Sequence, residues 1–148
     1  MDLEQHRAPL AEALNAQRIN RLAHFDLSAV DLILPMPLTA FHRLDRGYNQ
    51  SAYLAEALAK RLSRACREDV LKRKGHPGRQ SELDEDARRT NVKDTFAVAK
   101  PELVRGRTLL VIDDVMTTGA TLSECARELK AAGASRVWCL TLARTWRA

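Results

Sequence analysis

Residues Leu109 to Leu122 read LLVIDDVMTTGATL, and this stretch decides the fold. Gly106 marks a turn, and Thr108 to Ile112 then form the most apolar, β-prone run in the chain. A continuous apolar run, with no polar alternation, is the pattern of a strand covered on both faces, as in a parallel sheet. Two acids, Asp113 and Asp114, follow it. The small polar loop Thr117-Thr118-Gly119-Ala120-Thr121 leads into a helical period over Ala120 to Ala131, with Leu122, Ala126 and Leu129 on one face. Gly133 stands where a helix C-cap is expected. Strand, acid pair, glycine loop and helix in this order make one half of an α/β unit. In such units ligands bind at the carboxyl ends of the strands.

The chemistry of the loop follows from its residues. Adjacent carboxylates at a strand end repel one another and resist burial unless polar or cationic groups engage them. A sugar diol does so, because a carboxylate accepts two strong hydrogen bonds from it. Thr117 to Thr121 offer consecutive backbone N–H groups, hydroxyls and a helix N-terminus, which together attract an anion. Gly119 lets the backbone approach a phosphate closely. An acid pair beside a phosphate cradle is the layout for a phosphorylated pentose. Competing phosphate motifs are absent: there is no GxGxxG, and no lysine follows Gly119 as a P-loop requires.

Outward from this stretch, Arg136 to Leu142 (RVWCLTL) read as a last buried strand, with Cys139 a small buried hydrophobe. Asp31 to Leu34 form a short apolar strand closed by Pro35-Met36-Pro37, where two prolines in three residues predict a cis or sharply turned peptide between Leu34 and Leu38. A helix begins near Asn49, with Leu54, Leu58 and Leu62 inward and Lys60, Arg61 and Arg64 outward. Val70-Leu71 open a second strand, and Thr95 to Ala99 form another. Between them Lys72 to Asp94 are polar, contain Gly75, Pro77 and Gly78, and read as a mobile hood. Leu10, Leu14, Ile19 and Leu22 give a loose helical period up to about Ala23. The expected organisation is an N-terminal helical segment, residues 1–30, packed on one α/β domain, residues 31–148.

Composition agrees with one globular domain: of 148 residues, 45% are hydrophobic and 29% charged. No run approaches the roughly 20 apolar residues that cross a bilayer, and Asp2, Glu4 and Arg7 do not suit a signal peptide, so no membrane partner is expected. Cys66, Cys125 and Cys139 form no CxxC pair, which argues against a zinc ribbon or a disulfide framework and makes a cytoplasmic setting the expectation. The formal net charge of +5, with basic residues dense between Arg61 and Arg89, favours anionic partners, either nucleic acid or polyphosphate.

The segment VIDDVMTTGAT, Val111 to Thr121, resembles the 5-phosphoribosyl 1-diphosphate (PRPP) signature of type I phosphoribosyltransferases. Pro35-Met36-Pro37-Leu38 and Arg46-Gly47-Tyr48-Asn49-Gln50 are similar to blocks of the ComF/GntX branch, linked to DNA uptake competence. Gln80, Arg88, Arg89, Asn91 and Phe96, and the ending VWCLTLART, fit the same branch. The resemblance spans roughly Asp31 to Thr145. It implies an open parallel sheet flanked by helices with a flexible hood loop. The branch's N-terminal four-cysteine zinc ribbon has no counterpart here, Phe41 and His42 replace an arginine-rich stretch, and Pro77 stands where a hydroxyl residue is common.

Residue by residue, the resemblance implies that Asp113 and Asp114 are catalytic, binding the ribose hydroxyls directly or through Mg²⁺. Thr117, Thr118, Gly119, Ala120 and Thr121 bind the 5-phosphate. Met36, Pro37 and Leu38, backed by Arg46, bind diphosphate. Lys72, Arg73, Lys74 and Gln80 belong to the hood. Mg²⁺ is the implied cofactor, held mainly by substrate oxygens and water. The implied reaction transfers phosphoribosyl from PRPP to an amine or base acceptor that no residue names. The second reading is a catalytically weak PRPP sensor or DNA-handling accessory of the competence machinery, with single-stranded DNA or DNA-uptake proteins as partners. The oligomeric state stays open, a dimer included.

Overall fold

The central apolar run of the sequence becomes the interior of a sheet. In this computed structural model residues 26–38, 47–74 and 95–144 are described. Strand β1 (Leu32–Pro35) is followed by helix α1 (Gln50–Leu62), the two-residue β2 (Ala65–Cys66), β3 (Leu71–Arg73), β4 (Phe96–Val98), β5 (Thr108–Met116), helix α2 (Ala120–Ala131) and β6 (Arg136–Arg144). The main sheet has the order β2-β1-β5-β6 and every pair in it is parallel. β3 and β4 form a separate antiparallel pair. The expected N-terminal helix, and residues 75–94 of the expected hood, lie outside the described residues.

Alternation along the interior strands builds two cores, one on each face. Ile33, Leu110 and Ile112 pack with Leu54 and Leu58 of α1. Leu32, Leu34, Leu109 and Val111 pack with Leu122, Cys125 and Leu129 of α2 and with Phe96 of β4. Each of these helices buries an apolar stripe at three- and four-residue spacing, Leu54, Ala55 and Leu58 in α1 and Leu122, Cys125 and Leu129 in α2, which is why α1 and α2 sit on opposite sides of one sheet. Full burial of a leucine side chain is worth about 1.5–3 kcal/mol, so these stripes, more than helix propensity, hold the helices in place. Asn49 caps α1, its side-chain oxygen accepting from the Ser51 N–H at 3.1 Å. Gly133, just beyond the end of α2, has φ +99° and turns the chain into β6, as its sequence position predicts.

Two expectations are corrected. Of the two geometries expected between Leu34 and Leu38, the cis one is excluded, since no peptide bond is cis among the described residues. β6 is an edge strand of the described sheet, not a buried one, and Cys139 is exposed. Asp113 and Asp114 stand toward the C-terminal end of the interior parallel strand β5, where they are expected, and the strand runs on beside β6 to Met116.

Candidate functional site

β5 delivers Asp113 and Asp114 to the carboxyl end of the sheet, beside the turn after β1. The Asp113 carboxylate accepts the Asp114 backbone N–H at 2.9 Å and the Ser51 hydroxyl at 3.2 Å. Ser51 is itself buried, in the first turn of α1. Behind Asp113 lies an apolar wall of Leu54, Leu58, Ile112, Leu140 and Leu142. Burial against it raises the Asp113 pKa above the ordinary carboxylate value, and the Asp114 charge adds to the rise, while the two hydrogen bonds oppose it. Asp114 accepts the Val115 N–H at 2.8 Å.

The loop after β5 ends in Gly119 at φ +80°, ψ 0°, a left-handed conformation that suits glycine. No side chain caps α2. The first backbone N–H groups of a helix have no acceptor within it, so the start of α2 offers donors. Thr118 Oγ1 takes the Ala120 N–H at 3.3 Å. A Cβ placed on Gly119 would touch only Met116 Sδ, at 3.5 Å, so the requirement for glycine is conformational, not a matter of crowding.

Facing this is the turn after β1. The Met36 N–H donates to the Ile112 carbonyl at 2.8 Å, extending the β1–β5 ladder beyond Pro35. The Met36 carbonyl accepts Asn49 Nδ2 at 3.0 Å. One asparagine therefore caps α1 and fastens the turn, and its neighbour Ser51 fastens Asp113. Sequence reading marks Asn49 as a helix start and as part of the block Arg46 to Gln50, and does not mark Ser51. Their spacing of two residues at an N-cap was the available signal, but their partners are distant in sequence.

A cavity of about 390 Å³ opens between these parts. Met36, Pro37, Leu38, Asp113, Asp114 and Thr121 all line it, so the structure unites the expected diol, diphosphate and phosphate segments. Thr117, Thr118, Gly119 and Ala120 form the turn that leads to Thr121 and are not themselves in the lining. Of the hood residues, Arg73 lines the cavity, whereas Lys72 and Lys74 are exposed and outside its lining. Alternation along β3 separates them, and Lys72 Nζ turns back to the Glu68 carbonyl at 3.5 Å. Arg73 lies over the Phe96 ring, 4.9 Å from its centroid, and its buried Nε has no hydrogen-bond partner among the described residues. Burial lowers the Arg73 pKa and the Asp113 charge opposes that fall. Arg46 and Gln80 lie outside the described residues.

Among the described residues no group of three or more histidine, cysteine or carboxylate side chains converges as a metal site. The donors present are two carboxylates, which suit an ion that keeps water and substrate oxygens in its shell. No described helix is long and apolar enough to cross a membrane.

Comparison with known proteins fits this geometry. The model of the phosphoribosyl transferase domain matches residues 49–146. Competence protein F of Haemophilus influenzae is 38% identical over 120 residues, covering 80% of this chain and 52% of that protein. DNA utilization protein YhgH of Escherichia coli K12 is 34% identical over 136 residues, covering 90% of this chain and 57% of that protein. The chain thus spans about half the length of these curated relatives. Among solved structures, glutamine PRPP amidotransferase from B. subtilis has a TM-score of 0.57 at 18% identity, covering 92% of this chain and 26% of that one. A hypoxanthine phosphoribosyltransferase from Staphylococcus aureus has a TM-score of 0.56 at 13% identity, covering 96% and 69%. At such identities the structural likeness speaks for the fold: an open parallel sheet flanked by helices, of the type I phosphoribosyltransferase kind.

Proposed function

Because the chain belongs to the phosphoribosyl transferase domain family, in its ComF/YhgH-like branch, we propose that its cavity binds PRPP and that the bound phosphoribosyl group is passed to an acceptor amine or base. The observation that carries this reading is that Asp113, Asp114, Thr121 in the first turn of α2 and Met36 to Leu38 line one cavity. Asp113 and Asp114 accept the ribose hydroxyls. The N–H groups at the start of α2 and the threonine hydroxyls of the preceding loop take the 5-phosphate. Met36 to Leu38 receive diphosphate, with Arg73 as the cation in the same cavity lining.

Bond breaking at the ribose C1 develops positive charge on the sugar and negative charge on the departing diphosphate, as in glycoside cleavage. Asp113 and Asp114 lie on the sugar side of that separation and Arg73 on the side of the cavity that can offset the leaving charge. Mg²⁺ bound with the diphosphate would neutralise part of its charge, and Asp113 and Asp114 are the residues here that would reach such an ion. Apolar Met36, Leu38 and Val115 on the cavity lining limit water, whose attack would hydrolyse the sugar phosphate instead.

Calorimetric titration with PRPP and Mg²⁺, followed by an assay of diphosphate release with candidate amines and bases, tests this. Saturable PRPP binding that is lost in Asp113→Asn is expected. Absence of PRPP binding to the wild-type chain would overturn the reading.

A further inference from the structure

Neighbouring residues of a β-strand point to opposite faces of the sheet. Asp113 and Asp114 are neighbours in β5, yet both line the one cavity. A second element steers Asp113 there. From the first turn of α1, 62 residues away in sequence, the Ser51 hydroxyl donates to Asp113 Oδ1 at 3.2 Å. The Asp114 backbone N–H donates to the same oxygen at 2.9 Å. Ser51 is 3% exposed and its own N–H is tied to the Asn49 side chain at 3.1 Å, so its hydroxyl stands on a fixed base.

These bonds divide the carboxylates. Two donors fill Asp113 Oδ1, while Asp114 Oδ1 takes the Val115 N–H at 2.8 Å. Among the described residues no donor reaches Oδ2 of either acid. Each acid thus keeps one oxygen for a ligand, and the cavity offers two single acceptors instead of two forks. Such a pair suits hydroxyls on adjacent ring carbons that point to the same side. A hydroxyl inverted to the other side leaves one carboxylate without its charge-assisted bond.

The two backbone donors belong to β5 itself and hold each carboxylate at one point. Held so, Asp113 can still turn about its Cα–Cβ and Cβ–Cγ bonds. The Ser51 hydroxyl, a donor on another element, stops that rotation. Resting on the reading of the cavity as a ribose phosphate site, we infer that Ser51 is a positioning residue that sets sugar specificity. It holds Asp113 so that the acid pair accepts a cis pair of hydroxyls and discriminates against a trans pair.

Ribose 5-phosphate and arabinose 5-phosphate differ only in the hand of C2, so the ratio of their affinities reads diol recognition with the phosphate contribution cancelled. The test is calorimetric titration of the full chain with each sugar phosphate, and with inorganic diphosphate as a ligand that carries no diol. The wild type prefers ribose 5-phosphate by at least about tenfold, the cost of leaving one carboxylate unbonded. Ser51→Ala lowers that preference to about threefold or less by weakening ribose 5-phosphate, while arabinose 5-phosphate and diphosphate stay within about twofold of their wild-type affinities. Ser51→Cys, whose thiol is a weak donor, lowers the preference too and serves if the alanine variant does not fold. The inference is overturned if the wild type binds both sugars alike or if the preference survives in the variants. It is overturned equally if all three ligands weaken in proportion, the mark of a purely structural role, or if both sugars weaken alike, the mark of Ser51 touching the ligand itself. A wild type that binds ribose 5-phosphate with a preference unmoved by Ser51→Ala sinks this inference alone, whereas one that binds no ribose 5-phosphate sinks the cavity reading and this inference with it.

Discussion

Replacing Asn49 with serine separates the two jobs of that side chain. As N-cap of α1 it accepts the Ser51 N–H at 3.1 Å, and serine caps about as well as asparagine. As a tether its Nδ2 donates to the Met36 carbonyl at 3.0 Å, across 13 residues, and the shorter serine side chain does not reach that far. Met36 is 4% exposed, so its freed carbonyl has little access to water. Losing such a hydrogen bond costs about 0.5–1.5 kcal/mol, and up to about 3 kcal/mol if the group stays unsatisfied. Part of this cost falls on the native fold, and part on the diphosphate turn whenever a ligand needs it in place. At about 1.4 kcal/mol per decade, PRPP affinity falls roughly tenfold in Asn49→Ser. Ribose 5-phosphate, which carries no diphosphate, loses less than about twofold, and the urea midpoint drops by no more than about 1.5 M, a loss of about 1.5 kcal/mol over the lowest slope of about 1 kcal/mol per molar. Calorimetry with the two ligands, run beside urea unfolding, measures all three. Equal losses for PRPP and ribose 5-phosphate, or intact PRPP affinity, would refute the tether.

Gly119→Ala places a side chain at φ +80°, costs about 1–2 kcal/mol in urea unfolding, and weakens PRPP and ribose 5-phosphate together, because both carry the 5-phosphate. Leu58→Ala, at a position 1% exposed in the α1 core, lowers unfolding free energy by about 2–5 kcal/mol while leaving ligand affinity of the folded fraction unchanged. Asp113 has a raised native pKa, so its protonated form favours the fold below the unfolded carboxylate pKa of about 4, and that contribution is lost as pH rises through the native value. Asp113→Asn is therefore more stable than wild type at neutral pH and loses this advantage in acid, as melting temperatures across pH will register, while PRPP binding disappears. A variant less stable than wild type at pH 7 would contradict the burial argument.

Much of the fold can be read from local pattern, and the exceptions have physical causes. β5 and α2 are legible because an apolar run and a three-and-four apolar spacing each admit one structure. β2 is invisible because two residues, Ala65 and Cys66, carry no period. The edge position of β6 is hidden because Val137 to Leu142 have a core strand's composition, and composition does not say how many neighbours a strand has. Lys72-Arg73-Lys74 looks like solvated charge, yet alternation along β3 brings only Arg73 to the cavity. Asn49 is legible as a cap, but neither it nor Ser51 as a brace, since Met36 and Asp113 are their neighbours only after folding. The acid pair and glycine loop were legible because their chemistry is contiguous in the chain.

The pairing of Leu32 with Leu109 has a kinetic consequence. It joins segments 77 residues apart, the separation of Asp31 and Thr108 at its base. Closing a loop of that length costs about 4 kcal/mol by the logarithmic law before any ladder contact repays it. Such non-local parallel pairing slows folding. The turn at Met36 and the acids of β5 become neighbours only through this step, so the cavity does not exist in the ensemble before it. A ligand of the cavity therefore has nothing complete to grip until the barrier is passed. It slows the return journey, lengthening the lifetime of the native chain, and leaves the rate of folding almost untouched.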